Sequence, residues 1–304
     1  MQDIIHPPAR RAVSLIPLSH PIDRMPVSSR AALVTSGSLI LLVFLAGACA
    51  SRPPAPGATS DPSPAEPVIT TGGELLEAMH ARYQGRWFRT LSFVQNNTLY
   101  PASGGEQKTQ WLEHMSVPGK LRIDYLPLAG RSGVLYEGGR VHVFDNGRRV
   151  QSQPGVNPLL LLGFDVYAQP VAATAKTLDS LGFNLGIIHR AEWQGRRAIV
   201  VGAAAGDTTT NQFWVDAERL LFMRLIQRNP AGTVISDQRF NRYTDIDGFP
   251  IAIEVLMLRN GRPYFKEEYT SVRINQPIPA EVFDSARWVE AQPRMPVAPP
   301  PDVQ

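Results

Sequence analysis

Few side chains in this sequence are spaced for chemistry. The one thiol, Cys49, closes an apolar run, "LLVFLAGACA". A single cysteine cannot form an intramolecular disulfide. Placed at the end of a leader, it cannot serve a folded domain as a nucleophile either, so the chemistry open to it is modification of the leader itself. Four histidines follow it, His80, His114, His142 and His189. None has a second histidine or a paired carboxylate at metal-ligand spacing, so each reads as a surface or half-buried strand residue. Thr244 to Gly248 contains Asp-x-Asp-Gly, the opening of a calcium loop, but no glutamate closes it, which leaves a hairpin turn. Asn96-Asn97-Thr98 matches a glycosylation sequon by chance. No Gly-x-Ser-x-Gly elbow and no phosphate-cradling loop occur. No cofactor or metal is expected. An enzyme would need carboxylates distant in sequence to converge in space.

The leader positions Cys49. Ala31 to Ala46 is almost wholly apolar or small, and no charge follows Arg30. Such a run after a basic residue, ending in small residues, describes a secretory signal. It is shorter than the roughly 20 apolar residues that a membrane-spanning helix needs. Residues 1–24 fit it poorly, with four prolines and two histidines. Met25 begins a cleaner signal and reads as the true start. Leu45-Ala46-Gly47-Ala48-Cys49 resembles the lipobox of bacterial lipoproteins, in which the cysteine thiol accepts a diacylglyceryl group. Ala46 stands where that pattern prefers leucine. A plain secretory signal cut nearby is the alternative. Two or three acyl chains, at about 0.8 kcal/mol per buried methylene, make a stable anchor. Ala50 is not the aspartate that resembles an inner-membrane retention signal, so the resemblance implies the periplasmic face of the outer membrane.

Residues 1–48 are thus the signal region, and 49–70 the lipidated cysteine with a Pro-, Ser- and Ala-rich tether that cannot bury enough surface to order itself. A Pro-rich tail, 291–304, mirrors it. Residues 71–290 form one domain. Beyond Cys49 the chain has 26 basic and 25 acidic residues. This near balance offers no broad electrostatic footprint for nucleic acid.

The domain opens with a helix. Leu75, Leu76, Met79 and Tyr83 recur at helical spacing between Thr70-Thr71 and Gly85. Strands dominate after it, about eleven in number, with turns at Gly138-Gly139, Asn146-Gly147, Asn229-Pro230, Asp247-Gly248 and Asn260-Gly261. Asn157-Pro158 predicts an N-cap and first helical residue in mid-chain, and a further helix over Val171 to Leu181. The fold class is α+β with a long antiparallel meander. Several strands do not alternate cleanly. "IAIEVLML" puts Ile251, Ile253, Val255 and Met257 on one face, with Leu256 and Leu258 on the other. Such a strand must be covered on both sides. The helices or an opposite wall would cover it, and so would a hydrophobic ligand.

The helix, the meander, the mid-chain helices and the second set of strands resemble the LolA/LolB superfamily of lipoprotein carriers and receptors. The resemblance rests on "RTLSFVQ", "VPGKLRIDYLPLAGRSGVLYEGGRVHVFDNG", "YTDIDGFPIAIEVLMLRNG" and "VRINQPIPAEVFD". It implies an open, unclosed half-barrel with a helical lid and an apolar inner wall that accepts the acyl chains of a lipid or lipoprotein. It implies a periplasmic carrier as protein partner, and a binding protein rather than an enzyme. The lid would be Leu159, Leu160, Leu162 and Phe164. The wall would draw on Phe93, Trp111, Ile123, Phe222, Ile253 and Val255. A membrane-seeking loop would present Leu126 and Leu128, which ordinary loop packing also explains. The carrier's lid is latched by an arginine just before a proline. Val117 holds that place here, and Arg122 is the nearest substitute. An envelope-stress sensor or scaffold, similar to RseB, is the alternative use of the same fold.

Overall fold

A computed structural model describes residues 68–296. The signal region, Cys49, most of the tether and the last eight residues lie outside the described residues. Helix α1, Gly72–Tyr83, begins as its sequence dictates. The Thr71 hydroxyl accepts from the Glu74 N–H, and the Glu74 carboxylate accepts from the Thr71 N–H, each at 3.1 Å. This reciprocal pair satisfies two donors that the first helical turn leaves open.

Strands β1 (Thr90–Leu99), β2 (Gln107–Ser116), β3 (Lys120–Tyr125), β4 (Gly133–Glu137), β5 (Arg140–Asp145) and β6 (Arg148–Pro154) follow as a meander. Helices α2 (Pro158–Gly163) and α3 (Val171–Ser180), with the 3-10 turn Asp165–Tyr167 between them, interrupt the strands. Then come β7 (Ile188–Trp193), β8 (Arg196–Val201), β9 (Gln212–Asp216), β10 (Phe222–Arg228), β11 (Ile235–Ile246), β12 (Phe249–Arg259) and β13 (Arg262–Ile274). All thirteen join one antiparallel sheet, ordered β6-β5-β4-β3-β2-β1-β13-β12-β11-β10-β9-β8-β7. The count exceeds the expected eleven or so by two, and the reversals expected at Gly138-Gly139 and Asn146-Gly147 divide their segment into β4, β5 and β6. Both residues of each turn, Gly138-Gly139 and Asn146-Gly147, have positive φ. That backbone matches the twist of the flanking strands.

The topology has one consequence for function. The first six strands run outward from β1 to one edge, and the last seven run inward from the other edge until β13 pairs with β1. The sheet is therefore open, with β6 and β7 as its two edges. The chain must cross from one edge to the other between them, and α2 and α3 lie on that crossing. Asn157 caps α2, its side-chain oxygen accepting from Leu159 N at 2.9 Å and Leu160 N at 3.3 Å.

The C-terminal segment closes the outer face over β3–β5. Trp288 lies flat on Phe144, ring centroids 4.2 Å apart, and its indole N–H donates to the Arg131 carbonyl at 3.0 Å. Arg122 is fully buried beneath it. Its guanidinium donates to both oxygens of Asp124, at 2.8 and 3.0 Å. It also donates to the carbonyls of Val282, Trp288 and Ala291, at 3.2, 3.0 and 2.9 Å. Arg122 is thus committed to tying down the chain end and cannot latch the lid. Ala291 is buried and takes part in this knot.

Two of the four histidines also depart from expectation. His80, on α1, and His189 are half-buried, but His114 and His142 are buried. Register places His114 opposite Arg122 and His142 opposite Leu135, on the face that the C-terminal segment covers. Burial, reinforced by the charge of Arg122, lowers the His114 pKa to about 4.

Candidate functional site: the inner wall and its helical cover

The opposite face of the sheet is the inner wall. Cross-strand register puts Phe93, Gln95 and Asn97 of β1 on the same face as Trp111 and Glu113 of β2 and Ile123 of β3. The same face continues through Phe265, Glu267 and Tyr269 of β13, Val255 and Met257 of β12, and Gln238 and Phe240 of β11. The expected wall residues Phe93, Trp111, Ile123, Phe222 and Val255 are buried, and Ile253 is half-buried.

The helices cover the β10–β11 end of this wall. Phe164, just past α2, lies 6.1 Å from the Phe240 ring, and Phe222 of β10 meets the same ring edge-on at 4.9 Å. Gly163 permits the approach, since a Cβ there would sit 2.5 Å from the Phe240 ring. Leu160 and Leu162 are buried under this cover, whereas Leu159 is half-buried. So Leu160, Leu162, Phe164, Phe222 and Val255 belong to one packed region. Phe93, Trp111 and Ile123 line a second stretch, with Phe93 stacked on Tyr269 at 4.1 Å and Trp111 5.2 Å from Tyr125.

Two polar contacts fasten the cover. The Gly119 N–H, in the turn between β2 and β3, donates to the Asp165 carboxylate at 2.9 Å. The Phe222 N–H donates to the Tyr167 hydroxyl at 2.8 Å. These stand where an arginine latch was sought. Burial raises the Asp165 pKa to about 7 against the pull of the Gly119 N–H.

The open recesses lie beside residues that sequence reasoning missed. One, of about 620 Å³, is lined by His80, Trp87, Phe88, Val117, Pro118 and Tyr167, among others. A second, of about 500 Å³, shares Trp87 and adds Arg86, Phe249, Asn275 and Pro277. Trp87 packs against Tyr167 at 4.2 Å and Tyr83 at 5.1 Å, and Phe88 reaches Phe164 at 6.2 Å. The aromatic cluster "YQGRWF" at the end of α1 was the available signal. Leu126 and Leu128 are half-buried in the loop after β3. The large apolar side chains exposed among the described residues are Val68, Val150, Ile187 and Met295.

Two carboxyls interrupt the apolar wall. Glu113 and Glu267 are both buried. Burial, and then the nearby charge of Glu267, holds the Glu113 pKa well above the usual range. Burial raises that of Glu267 to about 7, opposed by hydrogen bonds from Tyr269 and Gln95. A raised folded-state pKa means that Glu267 supports stability fully below its ordinary 4.5 and loses that support as pH rises to about 7. Glu267→Gln, which cannot ionise, is therefore expected to match the parent at pH 4.5 and to exceed it by about 3 kcal/mol at pH 8. Urea unfolding of both proteins across that range checks the prediction. A difference independent of pH would refute it.

The described residues offer no group of three or more metal-ligating side chains, and no helix among them is long and apolar enough to cross a membrane. The sequence matches no family model and no curated protein. Solved structures are similar in fold. An outer membrane lipoprotein-sorting protein domain from Vibrio parahaemolyticus superposes with a TM-score of 0.50 at 11% identity, covering 71% of this chain and 97% of that one. A DUF1329 family protein from Desulfovibrio piger gives 0.49 at 11% identity, over 73% and 98% of the two chains. A LolA superfamily protein from Nitrosomonas europaea gives 0.44 at 11% identity, over 69% and 98%. With its single open antiparallel sheet and a helical cover on one face, the described domain shares the fold of the Vibrio parahaemolyticus domain.

Proposed function

We propose that this protein is a membrane-anchored lipoprotein that binds the acyl chains of a lipid or lipoprotein against the inner wall of its half-barrel. It would do so in traffic to the outer membrane, on its periplasmic side, with a periplasmic carrier as exchange partner and Cys49 as the lipidated residue. The observation that carries this reading is the largely aromatic and aliphatic inner face, interrupted by Glu113 and Glu267 and overlaid at one end by Leu160, Leu162 and Phe164. The fold shared with a lipoprotein-sorting domain supports it. No bond is made or broken in this function. A chain of about 14 methylenes gains roughly 11 kcal/mol gross on burial. Release therefore requires transfer to a second site of similar apolarity.

A charge placed under the cover tests the reading. Leu160 is 4% exposed. Leu160→Arg is expected to weaken binding of a fluorescent acyl probe by about tenfold or more, since a buried unpaired charge is costly. Circular dichroism and thermal unfolding separate this loss from misfolding. Unchanged probe affinity in a folded variant would remove the α2 cover from the site. Leu126 and Leu128 are assigned to membrane contact on the same reading, and vesicle binding by Leu128→Glu tests that assignment.

A further inference from the structure

We propose that the paired recesses at the end of α1 bind the phosphate group of an amphiphilic lipid through Arg86 and Arg89. The inference rests on the acyl-binding reading and specifies the polar end of the ligand.

The two recesses are neighbours. Gly85, Trp87 and Arg89 line both, so the connection from α1 to β1 borders each of them. That connection is held at both ends. Gly85, with a φ of 70°, turns the chain out of α1. At the other end the Arg89 N–H donates to the Asn275 side-chain oxygen at 2.8 Å, and the Thr90 hydroxyl donates to the Gln276 carbonyl at 2.7 Å. Between them Trp87 stacks on Phe88 at 4.9 Å and packs against Tyr167 at 4.2 Å.

The charge of the lining is one-sided. Arg86 and Arg89 are exposed, and no aspartate or glutamate lines either recess. Neither arginine has an ion-pair partner among the described residues. Arg86 gives one N–H to the Arg82 carbonyl at 2.7 Å, which leaves the rest of its fork open. Two buried nitrogens of the lining residues, His80 Nδ1 and Trp87 Nε1, also have no hydrogen-bond partner. A guanidinium fork matches phosphate oxygens in pairs, and phosphate has more oxygens to share between two forks than a carboxylate has.

The same recesses reach the apolar cover. Phe88, 1% exposed, lines the larger one, and its ring lies 6.2 Å from Phe164. It also lies 5.9 Å from Phe249, which lines the smaller one. One amphiphile can thus lay its chain towards Phe164 and keep its phosphate in reach of the exposed arginines.

The test uses the full chain carrying Cys49→Ala, with dodecyl phosphate, dodecanoate, dodecanol and inorganic phosphate as probes in calorimetry. Dodecyl phosphate is expected to bind about tenfold tighter than dodecanol, with dodecanoate between them. That preference should shrink between about 0.02 and 0.5 M salt, because exposed charges are screened. The variant Arg86→Gln/Arg89→Gln should cut it to under about twofold and leave dodecanol binding unchanged. The salt dependence of the parent protein decides the matter even where that variant does not fold. Equal affinity for dodecyl phosphate and dodecanol, a preference for dodecanoate, or a preference that salt leaves unchanged overturns the proposal and leaves acyl binding standing. Inorganic phosphate binding as tightly as dodecyl phosphate would mark a site for the free ion and overturns the lipid assignment. Failure of all three dodecyl probes to bind overturns both readings.

Discussion

Arg122→Ala is expected to destabilise the protein by about 3–5 kcal/mol, the cost of breaking a buried ion pair from one side. The substitution removes both bonds to Asp124 and the three to the carbonyls of Val282, Trp288 and Ala291. It also removes the cation that sits 3.8 Å from the Trp288 ring centroid. Asp124 then remains buried without its counter-ion. Burial already lifts the Asp124 pKa despite the guanidinium beside it. The loss should fall on the C-terminal segment first, because that segment docks through these carbonyls. Denaturant unfolding measures the total, and limited proteolysis should show new cleavage after Ile274. Arg122→Met with Asp124→Leu should recover much of the loss, since an apolar pair leaves no charge stranded. A loss under about 1 kcal/mol for Arg122→Ala would show that the segment docks by apolar contact alone.

Gly133→Ala is expected to cost about 3 kcal/mol or more, at or beyond the upper end of overpacking effects. A Cβ at this position would lie 2.0 Å from the Ile123 carbonyl oxygen and 2.9 Å from the Trp288 ring. The first obstacle is backbone, so it yields only by parting β3 from β4. Gly130→Ala, three residues earlier, meets nothing within 4 Å and serves as the control. It should change stability by less than about 0.5 kcal/mol, as surface substitutions commonly do. Thermal unfolding of the two variants side by side gives the answer, and equal midpoints would contradict the packing described for β3, β4 and Trp288.

Local structure was legible because its signals are local. Thr70-Thr71 ahead of the first helix, Asn157 ahead of Pro158, and the Asn-Gly and Asp-Gly turns each act over two to four residues, and each sits where its chemistry requires. Both-face burial of "IAIEVLML" was legible from its broken alternation. The role of Arg122 was not, because its five bonds include three to carbonyls some 160 to 169 residues away. His114 and His142 read as surface or half-buried for the same reason, since the segment that covers their face comes from the chain end. The acid pair was half visible. Glu113 shares strand parity with Trp111 and Met115, and Glu267 with Phe265 and Tyr269, but nothing in either strand says that both flank β1 on one face of the sheet. Trp87 and Phe88 were passed over because they follow a helix end, where aromatic residues have no periodic pattern to declare them.

An inner wall that takes acyl chains should carry lipid out of the cell. Native mass spectrometry with lipid extraction, on the Cys49→Ala chain exported to a bacterial periplasm, tests it most directly. Without the anchor, any lipid found is held by the domain. The expected result is a discrete added mass that extracts as an acyl species and is lost in the Leu160→Arg variant. A clean protein mass, even after incubation with lipids, would contradict it and direct attention to a protein partner.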